Sequence, residues 1–462
     1  MTLPAWAVRY NSRMVTRRAF LHASAATGVA TLTGAAKSLA AQYDLVIRGG
    51  RVIDPASGRD ATGDVFLADG KIAESGGTPD RTIDAAGLVV APGLIDLSAR
   101  LREPGYEYKA TLESETEAAV AGGVTSLACA PDTDPPLDEP GLVDMLRRRA
   151  KALARARVYP IGALTLKLEG KRLTEMAELA ASGCVAFSQA NLAIADTQVL
   201  WRALQYAATF GYPVWLRAED PWLAKGGVAH DGEVATRLGL SGIPAFAETI
   251  ALSTLLELVR ATGARLHVCR LSSAASVEMI RAAKKEKLPV TCDVGIHHIH
   301  LSEVDLGYFD PHCRLEPPLR NRRDREALSR ALAEGTIDCA VSDHTPVDED
   351  RKQMPFDEAE PGATGLELLL PLTLKWGEER GLGLAQSLAR VTCEPARVLG
   401  VPSGRLQPGA PADVILFDPH APFRVTAETL RSQGKNSPFL GHELAGRVRT
   451  TLVAGNVVYE AR

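Results

Sequence analysis

The chain has 462 residues, 46% of them apolar and 23% charged, which is typical of a soluble globular protein with two or three structural units. Its 52 basic and 56 acidic residues give a net charge of −4, which excludes a general attraction to nucleic acid or to an anionic membrane surface. The seven cysteines are scattered without a C-x-x-C pair, so neither a disulfide framework nor a thiolate zinc site is indicated.

Residues 1–42 do not belong to the predicted fold. Arg17 and Arg18 are typical of a twin-arginine export signal, because a mildly apolar stretch and then small residues follow them in the expected order. This order predicts a periplasmic mature chain that begins near Ala41. The alternative is a cytoplasmic chain whose N-terminal extension is a misread start, with Met14 as one candidate start. No apolar run in the sequence reaches the roughly 18 residues that a membrane span needs.

Short strand-like runs at both ends of the chain predict a small β-sandwich. Residues 43–91 alternate such runs with turns that contain Gly, Pro and Asp, and residues 401–462 show the same texture with a hairpin around Gly455. Each half-sheet has an apolar face that needs cover, so we expect the two halves to pack together as one domain.

Residues 92–400 alternate strand-like and helix-like runs, which is the pattern of βα units. Eight such units in about 300 residues predict an α/β fold with a (β/α)8 TIM-type barrel. The predicted strands are Leu94–Leu97, Thr125–Cys129, Val158–Ala163, Cys184–Phe187, Pro213–Leu216, Leu266–Cys269, Pro289–Asp293 and Asp338–Ser342.

The carboxyl ends of the strands are where a parallel α/β barrel positions its functional side chains. The residues found there are Ser98, Arg100, Gln189, Arg217, Arg270 and Asp343. Nearby motifs read Leu-Arg-Glu-Pro-Gly at Leu101–Gly105, Pro-Pro-Leu-Arg at Pro317–Arg320 and Ser-Asp-His at Ser342–His344. These motifs resemble the dihydroorotase family of the amidohydrolase superfamily, and the resemblance extends from about Asp44 to Tyr459.

The resemblance implies a metal site whose ligands are exchanged in this chain. In the family, the opening motif D-x-H-x-H supplies two zinc-binding histidines, and Ser98 and Arg100 stand at those positions. Arg217 and Arg270 stand where two more histidines are expected, and Gln189 stands where the family has an acidic or carboxylated-lysine bridge. Zinc needs imidazole or carboxylate donors, whereas a guanidinium group has no lone pair to donate. We therefore expect degenerate metal positions and no bound cofactor, although the family uses zinc.

The resemblance also implies roles on the substrate side of the site. Arg102 stands at the position of the arginine that grips the substrate carboxylate. Asp132 and Glu316 stand where asparagine is usual, and we expect their added carboxylates to repel an anionic substrate. Asp343 matches the catalytic base of the family, but a base without a metal-bound water has little to activate, so it is expected to be vestigial.

The exchanged residues predict an ion-pair cluster in place of a metal cluster. Arg100, Arg217 and Arg270 bring three fixed positive charges to the same rim of the barrel. We expect at least one of these guanidinium groups to pair with Asp343 inside the barrel mouth.

Three histidines in a short segment are a weaker candidate for a replacement metal site. Alternation would place His298 and His300 on one side of an extended chain, with His297 on the other. The resembling family has a similar His-His pair that does not bind the metal, so a structural role is favoured for these residues.

Within the family, the chain is most similar to the non-catalytic dihydroorotase-like chains that accompany bacterial aspartate transcarbamoylase, which also lack the opening histidines. The resemblance implies a pseudoenzyme of pyrimidine biosynthesis, in an oligomer with the catalytic chain of aspartate transcarbamoylase and bound to it by outer features rather than by the pocket. Such a partnership needs a cytoplasmic chain and conflicts with export. Two alternatives stay open: an active cyclic amidohydrolase with rearranged ligands, and a module that binds an anion in the arginine-lined pocket.

Overall fold

The computed structural model describes residues 42–74 and 78–461 of the chain. The strands are β1 Gln42–Asp54, β2 Arg59–Ala68, β3 Lys71–Ala73, β4 Thr78–Asp84, β5 Val89–Pro92, β6 Leu94–Ala99, β7 Val124–Cys129, β8 Arg157–Ala163, β9 Ala186–Ser188, β10 Val214–Leu216, β11 Ala229–His230, β12 Gly242–Ile243, β13 Leu266–Val268, β14 Val290–Gly295, β15 Cys339–Val341, β16 Val414–Arg424, β17 Glu443–Val453 and β18 Asn456–Glu460. The α-helices are α1 Leu112–Ala121, α2 Pro140–Leu153, α3 Met176–Ala181, α4 Thr197–Phe210, α5 Glu233–Leu238, α6 Phe246–Thr262, α7 Ala274–Lys285, α8 Ile296–His300, α9 Arg322–Glu334, α10 Glu349–Lys352, α11 Leu369–Glu379, α12 Leu384–Ala389 and α13 Cys393–Leu399.

Eight parallel strands form the barrel, in the order β6-β7-β8-β9-β10-β13-β14-β15. Every predicted barrel strand overlaps one of these eight, so the predicted (β/α)8 fold is confirmed. Strands such as β7, β9, β10 and β13 are buried at every residue, because helices cover the outside of the barrel and side chains fill its inside.

Hydrogen bonds join the first and last barrel strands at their carboxyl ends. The backbone amide of Arg100 donates to the carbonyl of His344 at 2.9 Å, and the amide of His344 donates to the carbonyl of Ser98 at 3.1 Å. The buried carboxylate of Asp96 accepts from the amide and the hydroxyl of Ser342, at 2.9 and 2.5 Å. Burial raises the pKa of Asp96 to about 6, against the lowering effect of these hydrogen bonds. The closure places the segment after β6 against the segment after β15.

Strands from both ends of the chain form a second sheet, in the order β18-β17-β16-β5-β1-β2-β3, with β4 paired to β1. β5 pairs in parallel with β1 and antiparallel with β16, so it joins the N-terminal strands to the C-terminal ones. Buried side chains from both ends form a separate core that includes Ile47, Val52, Val414, Leu416 and Leu452. The predicted β-sandwich is confirmed, whereas the division of the chain at residues 43–91, 92–400 and 401–462 stays a prediction.

Helix boundaries follow local capping chemistry, as α4 illustrates. The carboxylate of Asp196 accepts from the amide of Gln198 at the start of α4, and the helix ends at Gly211, whose φ of +71° favours glycine. In the described part of the chain, no helix is both long enough and apolar enough to cross a bilayer. The twin-arginine segment around Arg17 and Arg18 lies outside the described residues.

Candidate functional site

A cluster of charged side chains fills the barrel mouth at the carboxyl ends of the strands. Arg270, two residues after β13, donates from Nη1 to Asp343 Oδ1 at 3.0 Å. Arg100 has its Nη1 3.6 Å from the same oxygen, and its Nε donates to Asp132 Oδ2 at 2.6 Å. The hydroxyl of Ser98 also donates to Asp343 Oδ1, at 3.2 Å. The predicted ion pair with Asp343 is therefore present, and its arginines are only 4–5% exposed.

Asn191 connects the side chains of this group, which we call the mouth cluster: Ser98, Arg100, Asp132, Asn191, Arg270, Glu316 and Asp343. Its Oδ1 accepts from Arg100 Nη2 at 2.8 Å and from Arg270 Nη2 at 2.6 Å, and its Nδ2 donates to Glu316 Oε2 at 2.8 Å. The left-handed conformation of Ala190, with a φ of +52°, turns the chain after β9 and directs Asn191 into the cluster. Sequence reasoning missed Asn191, because nothing in the residue pattern marks this turn.

Gln189 occupies the predicted strand end but contacts the loop after β8 instead of Asp343. Its Nε2 donates to the carbonyl of Leu168 at 2.7 Å, and its Oε1 accepts from Thr165 Oγ1 at 3.0 Å. The assignment of Gln189 to the bridging position of the family stays a prediction. The contact with the mouth cluster comes from Asn191, two residues later.

Arg217, the third of the arginines considered for the pair with Asp343, binds Glu219 instead. Its two Nη atoms donate to both carboxylate oxygens of Glu219, at 2.8 and 2.7 Å, and Nη2 also donates to the carbonyl of Asn191 at 3.0 Å. A carboxylate two residues along the same segment thus satisfies this guanidinium. Arg217 remains part of the site through the carbonyl of Asn191.

Arg102 is buried and held by groups of the protein itself. Its Nε donates to the carbonyl of Pro346 at 2.8 Å, and its Nη2 lies 3.7 Å from Glu360 Oε1. Burial lowers the pKa of Arg102, against the opposing effect of the nearby Asp132 carboxylate. The substrate-binding roles of Arg102, Asp132 and Glu316 stay predictions, and each of these side chains is engaged by a protein group in this structure.

Positive and negative side chains at the mouth offset one another. Burial alone would raise the pKa of Asp132, but the guanidinium groups of Arg100 and Arg102 hold it below its usual value. Asp132 therefore stays ionised at neutral pH, and its side chain is 25% exposed. With Asp343, Glu219, Glu316 and Glu360 it gives the mouth five carboxylates, against the guanidinium groups of Arg100, Arg102, Arg217 and Arg270 and the ammonium group of Lys109. These charges leave no positive excess that would attract an anion.

Comparisons with known proteins identify the family. Residues 87–276 match the family described as Dihydro-orotase-like, and residues 246–459 match the one described as Amidohydrolase family. A dihydroorotase-like protein of Pseudomonas aeruginosa is 47% identical over 90% of this chain and 99% of its own length. The chain belongs to the dihydroorotase-like family of amidohydrolases. A dihydroorotase of Geobacter sp. (strain M21) is 42% identical over 90% of this dihydroorotase-like chain and 100% of its own length.

Solved structures with the same architecture support this assignment of the fold. The L-hydantoinase (dihydropyrimidinase) from Arthrobacter aurescens superposes with a TM-score of 0.80 at 25% identity, over 90% of this chain and 96% of that one. The dihydropyrimidinase from Brevibacillus agri NCHU1002 gives a TM-score of 0.76 at 23% identity, over 90% and 95%. Both likenesses show a (β/α)8 barrel with an attached β-sandwich.

The residues at the predicted metal positions do not fit zinc. Ser98, Arg100, Arg217 and Arg270 stand in place of the four expected histidines, and a protonated guanidinium group cannot act as a ligand. Asp343, the carboxylate that matches the family, already accepts from Arg270 at 3.0 Å. The assignment of these positions to the metal site of the family stays a prediction.

A different group of side chains, His267, Cys269 and Asp293, has ligand atoms within 4.8 Å of one another. Hydrogen bonds already occupy most of these atoms: His267 Nε2 lies 2.8 Å from Asp293 Oδ2, and His267 Nδ1 lies 2.8 Å from Thr291 Oγ1. Asp293 Oδ1 accepts from the amide of Arg270 at 2.6 Å. Burial, with the charge of Asp293, raises the pKa of the Cys269 thiol well above its usual value. The group therefore links β13 to β14 more readily than it offers free ligands.

The histidines of the segment after β14 lie on the short helix α8, so the expectation of an extended chain there is wrong. His298 Nε2 donates to the carbonyl of Pro317 at 2.9 Å, and His300 Nε2 donates to the carbonyl of Leu372 at 2.9 Å. Burial lowers the pKa of His297 to about 3. The helix gives His298 and His300 separate carbonyl partners, which tie the segment to its neighbours.

Proposed function

We propose that this chain is a catalytically inactive member of the dihydroorotase-like family, which serves pyrimidine biosynthesis as a structural partner of the catalytic chain of aspartate transcarbamoylase. The observation that carries the proposal is the contact between Arg270 and Asp343 at the barrel mouth. A guanidinium group in this place neutralises the carboxylate that a metal-dependent relative needs as a base, and it cannot activate a water molecule.

The names of the relatives support the dihydroorotase-like part of the proposal. The proteins of Pseudomonas aeruginosa and Pseudomonas putida, 47% and 45% identical to this chain, are called dihydroorotase-like proteins, whereas that of Geobacter sp. (strain M21), at 42%, is called a dihydroorotase. If the chain has no catalytic activity, a requirement other than catalysis must preserve its intact barrel fold. Assembly with a second chain supplies such a requirement.

A role in anion binding fits the barrel mouth less well. Arg100, Arg217 and Arg270 each pair with a carboxylate of the same chain, and Arg102 donates to a backbone carbonyl. An incoming anion would have to displace an internal carboxylate and leave it without its partner, which is costly in a buried place.

The second candidate function is an active cyclic amidohydrolase with rearranged ligands, and the grouping of His267, Cys269 and Asp293 is the observation in its favour. Metal binding there would break the hydrogen bond between His267 and Asp293 and remove a proton from a thiol whose pKa is raised well above its usual value. Cys269→Ser separates the two candidates: a hydrolase that uses this group loses its activity and its metal, whereas the inactive chain has neither to lose.

Co-purification from native cells, together with an activity assay, tests the proposal. We expect a transcarbamoylase chain to co-purify with the tagged protein in a symmetric complex. We also expect no cyclisation of carbamoyl aspartate above that of the matched Asp343→Asn variant. The proposal would be contradicted if no transcarbamoylase co-purified and if that enzyme were fully active and stable in the absence of this chain.

The proposed partnership requires the chain to remain in the cytoplasm, where a cytoplasmic transcarbamoylase can meet it. Replacing Arg17 and Arg18 with lysine tests the competing location. If the signal works, the substitutions block export, and the mature protein of the native cell begins near Ala41. Residues 1–40 intact on all of the native protein would contradict processing and favour the cytoplasmic chain.

A further inference from the structure

The loop between α8 and α9 carries two exposed aromatic side chains, here called the aromatic tip. Tyr308 is 98% exposed, and the adjacent Phe309 is 42% exposed. Short 3-10 helices flank the tip on both sides and bury Leu306 and Cys313, so the loop is anchored to the barrel. Aromatic rings offer a large area for burial, and an anchored loop that exposes two of them is typical of a contact surface.

The loop of the aromatic tip and the segment packed against it expose more carboxylates than basic groups, the exposed Arg351 included. The segment that begins with α10 packs beside the loop, because the buried Lys352 Nζ donates to the carbonyls of Pro311 and Arg314, at 2.9 and 3.3 Å. This neighbouring segment and the loop itself expose acidic side chains at Asp305, Glu349, Asp350, Asp357 and Glu358. The tip is thus an apolar centre in negative surroundings.

The opposite end of the barrel carries a basic cleft of about 590 Å³, between the end of α2, the start of β8 and the turn that joins β17 to β18. Its lining includes Arg147, Arg148, Lys151, Arg155, Arg157 and Tyr159. Arg155 and Arg157 pair with carboxylates of the same chain. Arg147 and Arg148 donate to backbone carbonyls, and Lys151 is exposed. Asp144 is the acidic residue of the lining, so the cleft keeps a positive excess.

We propose that the aromatic tip of one copy of this chain docks in the basic cleft of a second copy. The two surfaces have opposite charge, and the cleft lies within the range of about 300–1,000 Å³ of pockets that enclose whole small molecules, so it has room for two rings. Guanidinium groups stack on aromatic faces and also pair with carboxylates, so the cleft suits both parts of the tip surface.

The position of the two surfaces sets the kind of assembly. Because they lie at opposite ends of the barrel, the contact is heterologous, and copies add head to tail until a ring closes or a filament extends. The contact goes beyond the proposed function and does not depend on it, since neither surface contains a member of the mouth cluster. Its exposed charges are screened by salt, so association weakens as ionic strength rises.

Sedimentation velocity of the full-length protein tests this contact with two complementary double variants. The tip variant is Tyr308→Ser with Phe309→Ser, and the cleft variant is Arg148→Glu with Lys151→Glu. The wild type should show a mass that grows with concentration and falls with salt, and each double variant alone should form a smaller species. An equimolar mixture of the two variants should regain one contact and form a pair, because each contributes the surface that the other lacks.

Matched controls separate this docking from general effects of charge or folding. Trp222→Ser removes another aromatic side chain, 72% exposed, from the same end of the barrel, and Arg322→Glu with Arg323→Glu makes the same charge change on α9. Both should associate as the wild type does, and all variants should melt at the wild-type temperature. A wild type of constant mass at every concentration, association unchanged in the tip and cleft variants, or a mixture that forms no pair would each overturn the proposal.

Discussion

Two buried polar regions lie side by side at the carboxyl ends of the barrel strands, and they differ in what their side chains hold. In the mouth cluster, Arg100, Arg270, Asp343 and Asn191 contact one another. The second region, which we call the support region, consists of Glu115, His344 and Ser432. Its side chains contact backbone groups of distant segments. The predicted metal positions Ser98, Arg100 and Arg270 fall in the mouth cluster, whereas the support region includes His344 of the Ser-Asp-His motif.

Glu115 is the centre of the support region and is fully buried. Its carboxylate accepts from Ser432 Oγ at 2.6 Å and from the amide of Gln433 at 3.0 Å, and it lies 2.6 Å from His344 Nε2. His344 Nδ1 in turn accepts from the amide of Gly365 at 3.1 Å, so Nε2 carries the proton that is donated to Glu115. One carboxylate thus connects α1, the end of β15 and a loop near the C-terminus.

The difference between the two regions indicates which buried polar side chains can be substituted without loss of the fold. The support region satisfies buried backbone donors of Gly365 and Gln433, which need acceptors wherever the chain adopts this fold. The mouth cluster has to fill a space and balance charge, and ion pairs can do this in place of metal ligands. Stability should therefore depend more on the support region than on the mouth cluster.

The largest effect is expected for Glu115→Ala, which leaves buried donors of His344, Ser432 and Gln433 without their acceptor. We expect a loss near the upper end of about 3–5 kcal/mol in the free energy of unfolding, measured by urea denaturation. Glu113→Ala is the control, because this side chain is 68% exposed and should change stability by less than about 0.5 kcal/mol. A loss no larger than that of the control would contradict the role of the support region.

A smaller loss is expected for Asp343→Ala in the mouth cluster. Arg270 loses its carboxylate partner, but Arg100 retains Asp132, so we expect the lower end of about 3–5 kcal/mol in the same denaturation experiment. Asp343→Asn should lose less, since its side-chain oxygen can still accept from Arg270. Unchanged or increased stability of Asp343→Ala would show that the cluster does not contribute to the fold.

Replacing both members of a buried pair by apolar residues should show most clearly how the two regions differ in their contribution to stability. Arg270→Met with Asp343→Leu removes both charges together, and we expect stability within about 1 kcal/mol of the wild type, because exchanging a buried ion pair for apolar side chains is often neutral. Glu115→Leu with His344→Leu is the matched pair in the support region. This double variant should stay less stable than the wild type, since the amides of Gln433 and Gly365 are left without acceptors. If both double variants reached the stability of the wild type, the proposed difference between the two regions would be wrong.

The pH dependence of stability gives the smallest effect. Burial alone would raise the pKa of Glu115, but its hydrogen bonds with His344, Ser432 and Ser114 hold it below the usual value. A carboxyl group whose pKa is lower in the folded state contributes stability above its unfolded pKa, about 4.3, and loses this contribution as the pH falls through the folded pKa. We expect Glu115→Gln to lose less stability than the wild type between neutral pH and about pH 3. Parallel curves for the two proteins would contradict this role of Glu115.

The sequence predicts the barrel and the sandwich well, because their signals are local. Each barrel strand is a short, mainly apolar run, such as Ile95 and Leu97 around the buried Asp96, and the alternation of such runs with helical ones leaves few choices of fold. The pair between Arg270 and Asp343 is also predictable, since opposite charges at converging strand ends have few other partners.

The rest of the site depends on backbone turns and on competition between partners, which residue patterns do not reveal. The left-handed turn at Ala190 brings Asn191 into the cluster in place of Gln189. Glu219 competes for Arg217 from two residues away, although both carboxylates are candidates in the sequence. The segment Ile296–His300 is helical where alternation favours an extended chain, because five residues carry too little periodic signal to distinguish the two.

The zinc content of the purified protein tests the central claim, that an ion-pair cluster stands in place of the metal site, most directly. The protein is purified without chelators, and zinc is measured by elemental analysis in the wild type and in Asp343→Ala. The account predicts well below about one equivalent of zinc per chain in both proteins. About one or two equivalents in the wild type, lost in Asp343→Ala, is the result that a metal-dependent site gives and would contradict the account.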